Sequence, residues 1–273
     1  MNVKYLSYFL CLTAASSLSG CSLNRTAARV TSGVIDTGLP VVFSESDPQY
    51  VKEALPANLQ LMEILLASDP GNKGLLLNAS QGFCGYAFMF LEDENEARAS
   101  VFYQKGQAYA ERALDGATFE TAKKNDAHPL FWQTFCKALY MNINRDKPEA
   151  IAEIPTLEPA ALKLLQLDPG YYYNAAEDIL GAYYAIRPRL LGGSPEKAAE
   201  HFELALKGPG ADFMLSRYLY AKLGAVAAQD QALFERLLGE IIEAEPKDGV
   251  TRLPNEVAKL KAKKLLEKKD DLF

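Results

Sequence analysis

Histidine and tryptophan are nearly absent from this chain, at two and one among 273 residues, and cysteine is limited to four. Two imidazoles leave little material for general-base chemistry. No Gly-x-Ser-x-Gly, no phosphate-binding glycine loop and no His-Glu-x-x-His occurs to supply a nucleophile, a phosphate cradle or a zinc site. No Cys/His cluster has metal-ligand spacing. These absences point to a protein that is not an enzyme, with no catalytic residue, no cofactor and no metal. An excess of positive charge is missing as well. The formal charge is −6, and loss of Lys4 with residues 1–20 takes it to −7 (−6 − 1), a balance that excludes nucleic acid as a partner. Alternating β-branched runs are confined to the short Val41-Val42-Phe43, so strands are expected to be absent or marginal.

What is present begins at the N-terminus. Lys4 supplies one positive charge, and Leu6 to Ser17 is an uncharged stretch too short to span a bilayer but suited to a signal-peptide core. Leu18-Ser19-Gly20-Cys21 follows and resembles the bacterial lipobox, which implies that Cys21 becomes the acylated first residue of the mature protein. Two or more acyl chains suffice for stable anchoring. Ser22 stands where an aspartate would signal retention at the inner membrane, so the periplasmic face of the outer membrane is the expected location. The chain then divides into a signal peptide (1–20), a lipidated tether (21–46) and a single helical domain (47–273).

From Asp47 onward apolar residues recur at spacings of three and four, as in Leu59, Met62, Leu65 and Leu66, and Pro/Gly clusters mark the stops. The chain also repeats itself. Leu65-Leu66-Ala67-Ser68-Asp69-Pro70-Gly71 is echoed by Leu164-Leu165-Gln166-Leu167-Asp168-Pro169-Gly170. An Asn-Ala pair and a glycine follow each at a matched offset: Asn78-Ala79 to Gly85, and Asn174-Ala175 to Gly181. Two related helical blocks are therefore expected, near 50–120 and 155–240. Ala198, Phe202 and Ala205 have the small–aromatic–small spacing of the second helix of a tetratricopeptide pair, with Gly181 and Tyr184 on the first. The fold class is all-α, a tetratricopeptide-like stack of helix pairs. The connection through Arg187-Pro188-Arg189-Leu190-Leu191-Gly192-Gly193 is longer than a standard repeat allows.

Within that frame Cys84 and Cys136 sit in apolar stretches and read as buried thiols, although export permits their pairing. His128 and His201 read as structural residues. Glu92-Asp93-Glu94 reads as a solvent-facing acidic run, and the lysines from Lys259 to Lys269 as the wet face of a terminal helix docked by its leucines. Tyr171, Tyr172 and Tyr173 open a helix and point three ways around it, so at least one faces a groove or interface. Arg187 and Arg189, in the extended connection, are placed to receive a carboxylate. These five residues form the expected ligand- or partner-binding site, a tyrosine-walled cleft with an arginine at its mouth.

The ordered set of motifs resembles one family: the lipoprotein T components of tripartite ATP-independent periplasmic (TRAP) transporters, the TatT family. The matching stretches are Asp47-Pro48 with Ala54-Leu55-Pro56-Ala57-Asn58-Leu59, the Leu65–Pro70 run, Gly82 to Phe90, and Leu167-Asp168-Pro169-Gly170-Tyr171. Leu190 to Ala198, Gln229 to Glu235, and Arg252-Leu253-Pro254-Asn255-Glu256-Val257-Ala258 complete it. The resemblance implies an all-helical body, a homotrimer, and pairing with a periplasmic solute-binding protein. On this reading the protein is a tethered scaffold that docks the solute-binding protein and holds a small apolar or carboxylate-bearing ligand. The alternative is a general lipoprotein adaptor for envelope protein assembly. Pro254 is a departure from the family pattern and should start the last helix rather than break it.

Overall fold

The computed structural model describes the backbone of residues 3–273 and the side chains of residues 23–273. The side chains on which the signal-peptide and Cys21 acylation readings rest lie outside the described residues. No strand occurs among the described residues, and no helix among them is long and apolar enough to cross a membrane. In chain order the helices are α1 (Val3–Phe43), α2 (Pro48–Ser68), α3 (Lys73–Tyr86), α4 (Glu96–Leu114), α5 (Ala127–Ile143), α6 (Pro148–Glu153) and α7 (Leu157–Leu167). They continue with α8 (Tyr171–Ile186), α9 (Pro195–Ala205), α10 (Met214–Leu219), α11 (Val226–Ala228), α12 (Gln231–Glu243), α13 (Arg252–Leu266) and α14 (Lys269–Leu272). Two wider π-helical turns, Ala87–Leu91 and Tyr220–Ala225, extend α3 and α10.

The starts are written in the sequence. Asp47, Asn72, Asn95, Ser194 and Asp230 each accept a hydrogen bond from a first-turn backbone N–H, and Pro48 and Pro195 occupy the first turn where no donor is needed. Pro254 falls in the first turn of α13, as expected. The two echoed Asp-Pro-Gly corners end α2 and α7 by the same bond, Asp69 N–H to Leu65 O at 3.0 Å and Asp168 N–H to Leu164 O at 2.8 Å.

Close helix approach follows from small residues. Ala198, Phe202 and Ala205 are all fully buried on α9, so the predicted register of that helix holds. A Cβ at Gly181 of α8 would stand 2.9 Å from the Phe202 ring, so only glycine lets the two helices meet there. Gly106 does the same for α4. Cys84 of α3 and Cys136 of α5 face each other across it, and a Cβ there would lie 2.6 Å from the Cys84 sulfur. The two cysteines form a disulfide with their Cα atoms 5.7 Å apart, which corrects the expectation of buried free thiols.

The segment read as a tether carries the C-terminal part of α1, which lies against the body. Arg25 and Arg29 reach the buried Asp69 carboxylate at 2.7 and 2.9 Å. The Asn78 amide of α3 donates to Asp36. Hydrogen bonding from Arg29, with Arg25 beside it, holds the Asp69 carboxyl below its usual range.

Two further expectations are corrected where the halves of the body join. Glu92 is buried and not solvent-facing: it accepts from the Tyr103 hydroxyl and from Lys222, both at 2.6 Å. Lys261 is not on a wet face. The inward stripe of α13 is Leu253, Val257, Lys261 and Leu265, while Leu260 points outward. The Lys261 ammonium meets Asp93 at 2.6 Å and the Phe88 carbonyl at 3.0 Å, above the Phe88 and Tyr218 rings. This seam of paired charges joins α4 and the first π-turn to α13 and the second π-turn.

Candidate functional site

On the other side of that junction the halves do not close. Between α1, α2, α3 and α5 on one hand and α8, α10 and α13 on the other lies a cavity of about 350 Å³. An apolar cavity of about 150 Å³ is large enough for benzene, so this one has room for a molecule of roughly a dozen carbons. Its walls are mostly apolar: Val34, Ile35, Leu39, Val42 and Phe43 from α1, Leu61 and Met62 from α2, Phe88 and Met89 from the π-turn, Trp132 and Phe135 from α5, Leu215 and Leu219 from α10. Gly82 and Gly85 of α3 leave room by lacking side chains. A Cβ added at Gly85 would meet only the Met89 methyl, at 3.8 Å.

A more open depression of about 510 Å³ adjoins the cavity and shares Leu39, Phe43, Gln81, Tyr172 and Pro254 with it. The C-terminal turns of α1 therefore border both the interior and its mouth. On the far side a narrow gap of about 30 Å³ shares Phe88, Phe135, Asp178 and Leu219 with the cavity and reaches the Glu92–Lys222 pair. Burial works against the Lys222 charge, but the attraction of Glu92 outweighs it and raises the lysine above its usual range.

The tyrosine triplet is at the cavity, in a conformation the periodicity did not predict. Tyr172, Tyr173 and Asn174 have φ of 47°, 62° and 65°, a left-handed turn that precedes the regular part of α8. Each such residue costs roughly 1–2 kcal/mol, so the surroundings must impose it. Asn174 donates to the Lys207 carbonyl at 2.6 Å and the Ala205 carbonyl at 3.3 Å, capping the end of α9. Tyr173 stacks on Phe213 at 4.4 Å between centroids. Tyr172 packs edge-on against Trp132 at 4.9 Å and lines both the cavity and its mouth. Tyr171 stacks on His128 at 4.0 Å and accepts the Trp132 indole N–H at 3.1 Å; burial raises its hydroxyl to about 12. The three side chains do not radiate around a right-handed helix. Tyr172 faces the cavity, Tyr173 only its mouth, and Tyr171 braces Trp132 from behind.

The arginines are elsewhere. Arg187 lies 4.5 Å above the Tyr183 ring and donates to the Tyr183 hydroxyl, while Arg189 pairs with Glu196 at 2.9 Å. Neither is among the residues lining the cavity. They mark the opposite end of α8, beside the exposed Leu190 and Leu191. His201 is held structurally, 2.6 Å from Glu177 and stacked on Tyr184.

One lining residue escaped the sequence reading. Asp178, one turn beyond Asn174, is 3% exposed. Its Oδ2 accepts from the Ser216 hydroxyl at 2.5 Å, and its Oδ1 has no hydrogen-bond partner. Burial pushes the carboxyl up to about 7, with the Ser216 bond opposing and the charge of Glu177 assisting. Among the cavity's lining residues it is the one acidic side chain, and no Lys, Arg or His accompanies it. Among the described residues no group of three or more His, Cys, Asp or Glu is gathered that could hold a metal ion.

Helices packed around an apolar cavity define the class: an all-α protein with an internal cavity. The chain belongs to the TRAP transporter T-component family, which matches residues 44–273. It is also similar to an uncharacterized protein of Treponema pallidum (strain Nichols), 27% identical over 288 residues, an alignment covering 86% of this chain and 88% of that one. The protein is therefore a component of TRAP transport, a family of transporter parts and not of enzymes.

Proposed function

We propose that the protein is a lipid-anchored accessory that docks a periplasmic solute-binding protein of a TRAP system and holds a small apolar ligand in the cavity between its two halves during uptake. The observation that carries this reading is the cavity itself: about 350 Å³, nearly apolar, and bordered by the C-terminal turns of α1. Acylation at Cys21 keeps α1, and so the mouth of the cavity, near the periplasmic face of the outer membrane. Docking falls to the extended connection after α8, where Leu190 is 99% exposed and Arg189 stands beside it. The assembly is a homotrimer, as the family resemblance implies.

The test is co-purification. The lipidated chain, isolated from envelope extracts after mild cross-linking, should bring down one solute-binding protein, and Leu190→Ser should lose it. Cys21→Ala should end fatty-acid labelling. Recovery of assembly factors in place of a solute-binding protein would contradict the docking reading.

A further inference from the structure

An apolar cavity that includes one ionisable acid selects its ligand's head group. Asp178 is 3% exposed, and the Ser216 hydroxyl satisfies its Oδ2 at 2.5 Å. Asp178 is among the residues lining the cavity, and its Oδ1 is buried and has no hydrogen-bond partner. A buried acceptor left unmade costs about 1–3 kcal/mol, which a hydrogen-bond donor brought to it would relieve. No cation lines the cavity to receive a carboxylate or phosphate head, and once Asp178 is ionised such a head would meet its oxygen as a like charge. Of the polar neighbours on the wall, Ser216 is committed to Asp178, Asn78 donates to Asp36, Asn58 and Tyr86 donate to the Ala54 and Lys52 carbonyls, and Tyr172 and Gln81 bond each other; all of them, and Thr31, are neutral.

We infer that the ligand is an apolar molecule carrying a hydrogen-bond donor, an alcohol or an amine, whose O–H or N–H is delivered to Asp178 Oδ1. This assignment rests on the cavity being the ligand site, and it replaces the carboxylate expected at Arg187 and Arg189, whose guanidinium groups are engaged by Tyr183 and Glu196. Asp178 is thus a specificity-determining residue: the aliphatic walls accept the body of the ligand, and the orphan oxygen discriminates its head.

The experiment compares decylamine, decanol and decanoate, three probes with one chain length and three heads, titrated into the delipidated protein by calorimetry at pH 8.5, where the Asp178 carboxyl is ionised. Decanol and decylamine should bind about tenfold or more tightly than decanoate, the factor expected for a hydrogen bond to a charged acceptor. Asp178→Asn keeps an accepting oxygen but not the charge, so it should reduce decylamine binding far more than decanol binding. Asp178→Leu should bring all three within a few-fold of one another. Melting curves verify that the variants fold, and the head-group series on the unaltered protein stands without them. Decanoate binding as tightly as the other two, or a head-group preference that survives in both variants, would overturn the assignment while leaving the cavity reading intact. Failure of all three probes to bind would overturn the cavity reading and the assignment with it.

Discussion

Glu92 and Asp178 are buried to the same degree, at 4% and 3% exposure, and both stand where the two halves of the molecule meet. Glu92 has Tyr103 and Lys222 at 2.6 Å, and its neighbour Asp93 has Lys261. Asp178 has one hydroxyl, an unpaired oxygen and no cation. The charges around Glu92 are paired and border an open polar depression of about 980 Å³, whereas the cavity that Asp178 lines is almost wholly apolar. The same junction thus carries two kinds of burial. One pairs charges across the halves, and the other leaves a carboxyl oxygen without a partner.

The largest expected effect breaks the satisfied side. Lys222→Met leaves the buried Glu92 carboxylate without its cation and should lower stability by about 3–5 kcal/mol in urea unfolding. A loss under about 1 kcal/mol would mean that the seam does not hold the halves together. Next in size, replacing both Cys84 and Cys136 by serine removes a cross-link between residues 52 positions apart. Chain-entropy arguments give about 3–4 kcal/mol, read under oxidising conditions, and reductant should produce a similar loss in the unaltered protein.

The unsatisfied side should respond in the opposite direction. Asp178→Asn is expected to stabilise the unliganded protein by about 1–3 kcal/mol at pH 8. The sign follows from the titration. The folded carboxyl is raised to about 7 against an ordinary 3.8, so between these values the folded state binds the proton that the unfolded state has lost. Its contribution to stability falls as pH rises through that window. Below about pH 4 both states are protonated, and the gap between variant and parent should close. A gap independent of pH would show that Asp178 does not titrate as its burial requires. The smallest effect is on stability alone: Gly85→Ala replaces a helical glycine where a Cβ meets only the Met89 methyl at 3.8 Å and should raise stability by about 0.5–1 kcal/mol in urea unfolding.

Helix positions and stops were legible in the sequence because they depend on local chemistry: the apolar spacing of Leu59, Met62 and Leu66, the Asp-Pro-Gly corners, the Ala198–Phe202–Ala205 face. The features that were missed depend on partners far along the chain. Glu92 and Lys261 look solvent-exposed in any window of ten residues; Glu92 is paired by Tyr103 of α4 and Lys222 of the second π-turn, and Lys261 by the first π-turn and Asp93. The Cys84–Cys136 bridge needed the knowledge that Gly106 leaves space between α3 and α5. Asp178 gave no local signal beyond an acid among apolar neighbours on α8. The two echoed corners show the limit most clearly. Both end their helices by the same bond, yet α3 then begins right-handed at Asn72, while the other corner runs into a left-handed turn at Tyr172–Asn174. The difference comes from Phe213, Trp132 and the end of α9, which hold the tyrosines and Asn174 in place.

The central claim is that the cavity between the halves is where a ligand sits, and Gly85 offers a direct way to fill it. The measurement is a titration of the delipidated protein with an environment-sensitive alkyl-naphthalene probe, alongside Gly85→Phe. The unaltered protein should bind one probe per chain with a blue-shifted emission. Gly85→Phe should melt no lower than the parent and lose that binding, because the added ring occupies the guest's space. Undiminished probe binding in a well-folded Gly85→Phe would contradict the account.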